Sequence, residues 1–365
     1  MKILMMGTLT NSMNGSARSF VRLCNFLASK HDVYVVVPDT DGVVSLLSND
    51  ICQLLVKNLT PVRRSIASVL SIPLSIVRLF TLIKKYQPDI IHINDIPWFY
   101  GVMVARWLKT PVVIHSRYYE KNKVIKKVIS VFVGTANAAI YVSDFNRRMW
   151  GVTKGLHYTL HNPGIFNFKF DDSFNLPPNY ALVVSRVSEE KGIREAIELF
   201  SILAKLDSSM QLIIAGDALY HYQKVYLEQC KDLLKHLGLK DRVVWLGHVS
   251  MPHALYRNTK LYIHLPNFED PFPTTVMEAL ALGSRILTNG RGGIKEQIEG
   301  FEGTCLIEPS SSDQETESKL IQFMNATESK YDRSDLYAKR FDEQRFYEKF
   351  EEILLSVNRQ SQGPN

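Results

Sequence analysis

The chain has 365 residues, 45% of them hydrophobic, which makes it globular and too long for a single core; two domains are expected. Its net charge of +6 hides an asymmetry: residues 1–163 carry 20 Lys and Arg against 8 Asp and Glu, a net +12, and residues 164–365 carry 23 against 29, a net −6. The four cysteines (Cys24, Cys52, Cys230, Cys305) are scattered without metal-like spacing, so a zinc module or a disulfide framework is excluded and reduced thiols are expected.

The first stretch, "MKILMMGTL", has one lysine and a short apolar run, and reads as a first strand rather than a signal peptide. Further apolar runs follow at 32–38 ("DVYVVVP"), 89–95 ("DIIHIND"), 111–116 ("PVVIHS") and 138–143 ("AAIYVS"). They are nearly continuous rather than alternating, the pattern of parallel strands buried on both faces. Amphipathic stretches such as "SARSFVRLCNFLASK" (16–30) lie between them and predict a βα repeat, hence a doubly wound sheet. Residues 161–180, rich in Pro, Asn and Asp and without helical period, read as a linker.

A second set of strands is expected at 180–187, 211–217, 242–247, 261–266 and 284–289, with helical stretches beyond 318 that end at 342–360. The domains predicted are therefore 1–163, 164–340, and a helix and tail over 341–365 that crosses back to the first domain. Two Rossmann-like domains of this kind, facing each other across a cleft, would bind ligands where strand C-termini meet helix N-termini.

Chemistry concentrates in "NFEDPFPTTVMEALALGSRIL" (267–287). A helix is predicted to start near Pro273, which suits a first turn because its missing N–H would have no partner there. Thr274 and Thr275 then offer amides and hydroxyls at the positive end of the helix dipole, and Gly283 closes the helix. Glu278 lies four residues beyond Thr274 on the same face and leans toward the N-terminus. From there it can accept two hydrogen bonds from a diol. Asp270, before the helix, can face the other way. Ordinary solvated acids at a helix start are the plain alternative.

The stretch "EDPFPTTVMEALALG" resembles the signature of the retaining family-four glycosyltransferases, which have the GT-B fold and serve bacterial polysaccharide and lipopolysaccharide synthesis. That signature has two acids with seven residues between them, followed by Ala and then Gly; here Asp270 and Glu278 take the two places. "GGIKEQI" (292–298) matches the Gly-Gly-x-x-Glu that follows, and "VVSRVSEEKGIREAIELF" (183–200) places Arg186 and Lys191 where the family contacts the donor diphosphate.

The resemblance implies a donor-binding set of Gly15, Arg186, Lys191, Asp270, Phe272, Pro273, Thr274, Thr275 and Glu278. Arg186, Lys191, Asp270 and His115 form the catalytic set. Preorganised cations would stabilise the charge growing on a departing nucleoside diphosphate. His115, in "VVIHSRYY", matches a family histidine near the transferred sugar. Three positions depart from the pattern. Asn14 replaces the first of two usual glycines. Pro273 replaces a small Gly and removes one N–H donor, leaving the cradling to Thr274 and Thr275. Asp270 is one methylene shorter than the usual Glu, which bears on donor choice.

The activity implied is hexosyl transfer from a UDP- or GDP-sugar to a lipid-linked or saccharide acceptor, as in lipopolysaccharide or O-antigen assembly. It proceeds with retention and without metal or cofactor, the acceptor attacking on the leaving group's own face. A GT-B sugar-nucleotide epimerase and a catalytically idle membrane-bound subunit are the alternatives. "PDTDG" (38–42) holds an Asp-x-Asp but follows a strand in the basic half, and reads as a turn rather than a metal site.

Two basic, apolar segments, 63–86 and 121–134, suit surface helices resting on anionic lipid. Pro73, Arg78 and several serines argue against a spanning helix in the first. A cytoplasmic protein, peripheral at the inner face of the plasma membrane, is expected. No nucleic-acid motif accompanies the basic half, so no nucleic-acid partner is expected.

Overall fold

The computed structural model describes residues 1–7, 15–37, 42–56, 59, 70–164, 166–171, 173–308, 313–325 and 331–362. The chain divides into two compact units, residues 1–163 with 343–365, and residues 164–342.

The first unit is built on seven parallel strands: β1 (Lys2–Gly7), β2 (Asp32–Val37), β3 (Cys52–Leu55), β4 (Ile90–Asn94), β5 (Val112–Ser116), β6 (Ala138–Tyr141) and β7 (Leu156–Thr159). Their order is β3-β2-β1-β4-β5-β6-β7. Helices α1 (Gly15–Ala28), α2 (Ile72–Tyr86), α3 (Tyr100–Trp107), α4 (Lys123–Val133) and α5 (Asp144–Trp150) connect them. The strand period of two explains why β1 is apolar throughout. Ile3 and Met5 pack against Phe20, Leu23 and Leu27 of α1. Leu4 and Met6 belong to the opposite layer, with residues of α2, α3 and α4.

The second unit repeats the plan with β8 (Tyr180–Val184), β9 (Gln211–Ala215), β10 (Val243–Gly247), β11 (Leu261–His264), β12 (Ile286–Thr288) and β13 (Thr304–Leu306), in the order β10-β9-β8-β11-β12-β13, again all parallel. Its helices are α6 (Ile193–Leu206), α7 (His221–His236), α8 (His253–Asn258), α9 (Thr274–Ala281), α10 (Ile294–Ile298), α11 (Asp313–Met324) and α12 (Ser334–Arg340). Residues 160–179 carry no helix or strand where described.

The final helix, α13 (Glu343–Ser361), packs in the first unit. Phe346, Phe350, Ile353, Leu354 and Val357 recur at helical spacing and are buried in the same cluster as Ile3 and Phe20. Arg22 to Glu343 (3.0 Å) and Lys30 to Glu351 (2.7 Å) fasten its sides to α1 and the turn after it.

Three strands carry no sequence signal of the kind read above. β3, β7 and β13 lie at sheet edges, are three or four residues long, and lack a buried apolar run. No helix among the described residues is long and apolar enough to cross a membrane.

Candidate functional site

In the second unit β8 pairs with β11 in parallel, β8 leading outward to β9 and β11 to β12. Strand order reverses between β8 and β11, and open parallel sheets take ligands at such a reversal. The loops leaving these two strands carry the predicted residues.

The β8 loop ends in a tight turn, Glu189–Lys191, closed by Gly192 at φ +68°. A Cβ at Gly192 would come within 1.7 Å of the Leu265 carbonyl oxygen, so only glycine lets the turn press on the β11 exit. The Asn267 amide donates to the Glu190 carbonyl (2.9 Å), and its side chain donates to the Glu195 carboxylate (2.6 Å). The two loops are thereby fixed to each other.

Lys191 and Asp270 meet as a result. The ammonium lies 2.9 Å from the carboxylate and 4.6 Å above the Phe268 ring, and the two side chains are only 18% and 11% exposed. Behind Asp270 stands the Gly-Gly pair noted in the sequence. The Gly293 amide donates to the Asp270 carbonyl (2.9 Å) and the Gly292 amide to the Glu269 carboxylate (2.6 Å). Gly292 has φ +73°, and a Cβ there would lie 2.2 Å from the Asp270 oxygen.

Helix α9 begins at Thr274. Pro273 was expected in its first turn and instead precedes it, extended at φ −67°, ψ 128°, with its carbonyl accepting from the Gln297 side chain (2.9 Å). The difference follows from ψ: proline's fixed φ suits either state, and the bond from Gln297 holds the extended one. Thr274 and Thr275, both half-buried, then supply the helix's first free amides. Gly283, at φ +69°, follows the last turn as expected. Phe272 is buried against Phe341 in an edge-on contact.

Glu278 is half-buried beside two tyrosines. Burial first, then the charge of Glu278, pushes the Tyr256 hydroxyl well above its ordinary pKa. Tyr262 stacks on His264, its hydroxyl 3.2 Å from Nδ1. His264 ends β11, and burial lowers its pKa to about 4; Asp270 opposes that shift and Lys191 adds to it. The imidazole is therefore neutral near pH 7. These tyrosines and His264 were not singled out from the sequence, although Tyr262 and His264 stand two apart on an otherwise apolar strand.

The remaining expected residues do not join the Lys191–Asp270 contact. Arg186 follows β8 and is exposed, its guanidinium 3.8 Å from Glu190. Gly15 is the first residue of α1 in the first unit; Asn14 before it, and Asp39 and Asp41, fall outside the described residues. His115 stands near the end of β5, as read from the sequence, but its ring is wholly enclosed by His92 and Phe350, with centroids 5.9 and 5.8 Å away. Burial chiefly, with the charge of Arg117, holds it neutral. Among the described residues no three His, Cys, Asp or Glu side chains gather as a metal site.

Two family models match the chain: one described as glycosyl transferases group 1 over residues 165–341, the other as Glycosyltransferase Family 4 over residues 13–159. The chain belongs to the family-four glycosyltransferases. The lipopolysaccharide 1,2-N-acetylglucosaminetransferase of Salmonella typhimurium is 31% identical over 137 residues, 36% of this chain and 36% of that protein. The alpha-monoglucosyldiacylglycerol synthase of Streptococcus pneumoniae is 23% identical over 239 residues, 57% of this chain and 53% of that protein. The aligned region thus spans about a third to a half of the length of such curated relatives.

The fold is shared with Anabaena HepE, solved in complex with UDP and glucose, at a TM-score of 0.79 and 21% identity, covering 98% of this chain and 100% of that one. The Lys191 and Asp270 loops of this family-four glycosyltransferase both lie within the region of the first model.

Proposed function

We propose that this chain transfers a hexosyl unit from a UDP- or GDP-sugar to a lipid-linked or saccharide acceptor, with retention of configuration, in the assembly of a bacterial surface polysaccharide. The observation that carries the reading is the Lys191–Asp270 pair at the strand reversal, beside the N-terminus of α9.

In this reading the donor diphosphate lies against the first amides and hydroxyls of α9, at Thr274 and Thr275, where the helix dipole favours negative charge. Lys191 contacts the same phosphates, and Arg186, exposed and only loosely held by Glu190, swings onto them. The two cations and the amides carry the charge of the leaving group without a metal. Asp270, held to Lys191, accepts from hydroxyls of the transferred sugar. Glu278 accepts from the ribose diol, with the buried tyrosines fixing its rotamer. A donor phosphate oxygen takes the acceptor's proton, because the enclosed His115 ring is not exposed to an acceptor.

The nucleotide in the HepE complex supports a nucleotide-sugar donor, and the diacylglycerol-based name of the pneumococcal relative supports an acceptor that contains lipid. Helices α2 and α4, with basic ends and apolar bodies, support contact with an anionic membrane; residues 63–69 of the first such segment lie outside the described residues.

The test is a transfer assay with UDP- and GDP-hexoses and a lipid-linked acceptor fraction, the product's anomeric configuration being read by NMR. Retained configuration, lost in Lys191→Ala, supports the reading. An inverted product, or sugar epimerised without any acceptor, refutes it.

A further inference from the structure

Helices α2, α3 and α4 cover one face of the first sheet, and none of the three contains an acidic residue. Their cations are Arg78, Lys84, Lys85, Arg106, Lys123, Lys126 and Lys127.

On α4 only Ile129 and Val133 are buried. Val124, Val128 and Val131 recur at the spacing that sets residues on one face, and they are 72%, 51% and 63% exposed. An ordinary surface helix turns such residues inward; here the outward stripe is apolar. The stripe leads to a groove of about 620 Å³ between the C-terminal ends of α3 and α4, lined by Met103, Arg106, Trp107, Val131 and Phe132 among others. Trp107 is 64% exposed at this groove. The volume falls in the range of small-ligand sites, roughly 300–1,000 Å³.

We infer that this groove takes one hydrocarbon chain of an anionic phospholipid, with Arg106 and the α4 lysines on the headgroup phosphate and Trp107 in the interfacial layer. A tryptophan suits that layer, being apolar with one polar edge. Charge chooses the occupant. A second copy of this chain, docked through the same face, would set seven cations against seven of like sign. An anionic bilayer supplies apolar contact and counter-charge together. The inference rests on the membrane contact proposed above and deepens it.

The test uses the full chain with vesicles of phosphatidylcholine, with and without phosphatidylglycerol, some carrying brominated acyl chains. Trp98 and Trp150 are buried and Trp245 is half-buried, so bromine quenching on binding reports chiefly on Trp107. Binding that requires phosphatidylglycerol is expected, with quenching that disappears in Trp107→Phe. Trp107→Ala and Arg106→Ala should each weaken partition about tenfold while leaving thermal stabilisation by UDP unchanged. Vesicle binding without quenching, or unchanged in Trp107→Ala, overturns the groove and leaves the membrane reading standing. Absence of vesicle binding overturns both while leaving glycosyl transfer intact. Equal binding to neutral vesicles overturns the anionic headgroup. A dimer that dissociates in Trp107→Ala assigns the face to a protein partner and overturns the inference.

Discussion

Lys191 reaches Asp270 at 2.9 Å from a different loop, and each loop follows one of two adjacent strands, β8 and β11. Removing one partner therefore leaves a largely buried charge alone. Lys191→Ala is expected to destabilise the second unit by about 3 kcal/mol and to lower transfer by orders of magnitude. Lys191→Ala/Asp270→Ala should regain much of that stability and none of the transfer. Denaturant midpoints and initial rates on the two single variants and the double variant check this; strictly additive stability losses would contradict the pairing.

Gly292 supports Asp270 from behind. Gly292→Ala puts a methyl group 2.2 Å from the Asp270 carbonyl oxygen at φ +73°, so the 269–270 backbone must move. A displacement near 1 Å at a positioning loop costs about a hundredfold in rate. The expected outcome is that loss in donor turnover with the thermal transition of the first unit unchanged, measured by steady-state kinetics and calorimetry.

Acid should unfold the first unit before the second. His92, with its pKa lowered to about 3, and His115, also lowered, are both buried in the first unit; His264, near 4, is in the second. Each folded pKa lies below the ordinary 6.5, so the unfolded chain takes up the proton first. No penalty exists above that value, and it grows as pH falls toward the folded pKa. By pH 5 His92 and His264 each cost about 2 kcal/mol, and His115 adds a further loss of the same sign to the first unit, so the first unit loses more than the second does. Unfolding curves at pH 7 and pH 5, following Trp150 in the first unit and Trp245 in the second, test the order. His115→Leu should flatten the first unit's dependence by one proton.

The terminal helix is structural for the first unit. Phe350 is fully buried and touches both His92 and His115. Phe350→Ala is expected to cost 3–5 kcal/mol in the first unit, a loss on the order of that seen for large cavities in cores, and to leave UDP-dependent stabilisation of the second unit in place. Separate calorimetric transitions for the two units provide the readout.

The doubly wound plan was legible because strands buried on both faces must be apolar throughout, as Ile3 to Met6 show. The edge strands β3, β7 and β13 were not legible, because a half-exposed strand of three or four residues leaves no such run. Lys191 and Asp270 could be picked out by motif, but not their contact, which depends on Gly192 folding the turn onto Leu265. Pro273 was placed one step too far into the helix, because its fixed φ does not determine ψ. His264 and Tyr262 escaped notice because a polar pair inside a core strand reads as satisfied packing until the charges beside it are known. The enclosure of His115 by α13 is a long-range contact that no local pattern encodes.

The most direct test is titration calorimetry of UDP and GDP into the intact chain and into Lys191→Ala and Thr274→Pro variants. Saturable binding of one nucleotide, abolished by the first change and weakened by the second, is the result expected if a diphosphate sits at Lys191 and the start of α9. Binding that both variants leave untouched, or no binding of either nucleotide to the folded chain, would contradict it.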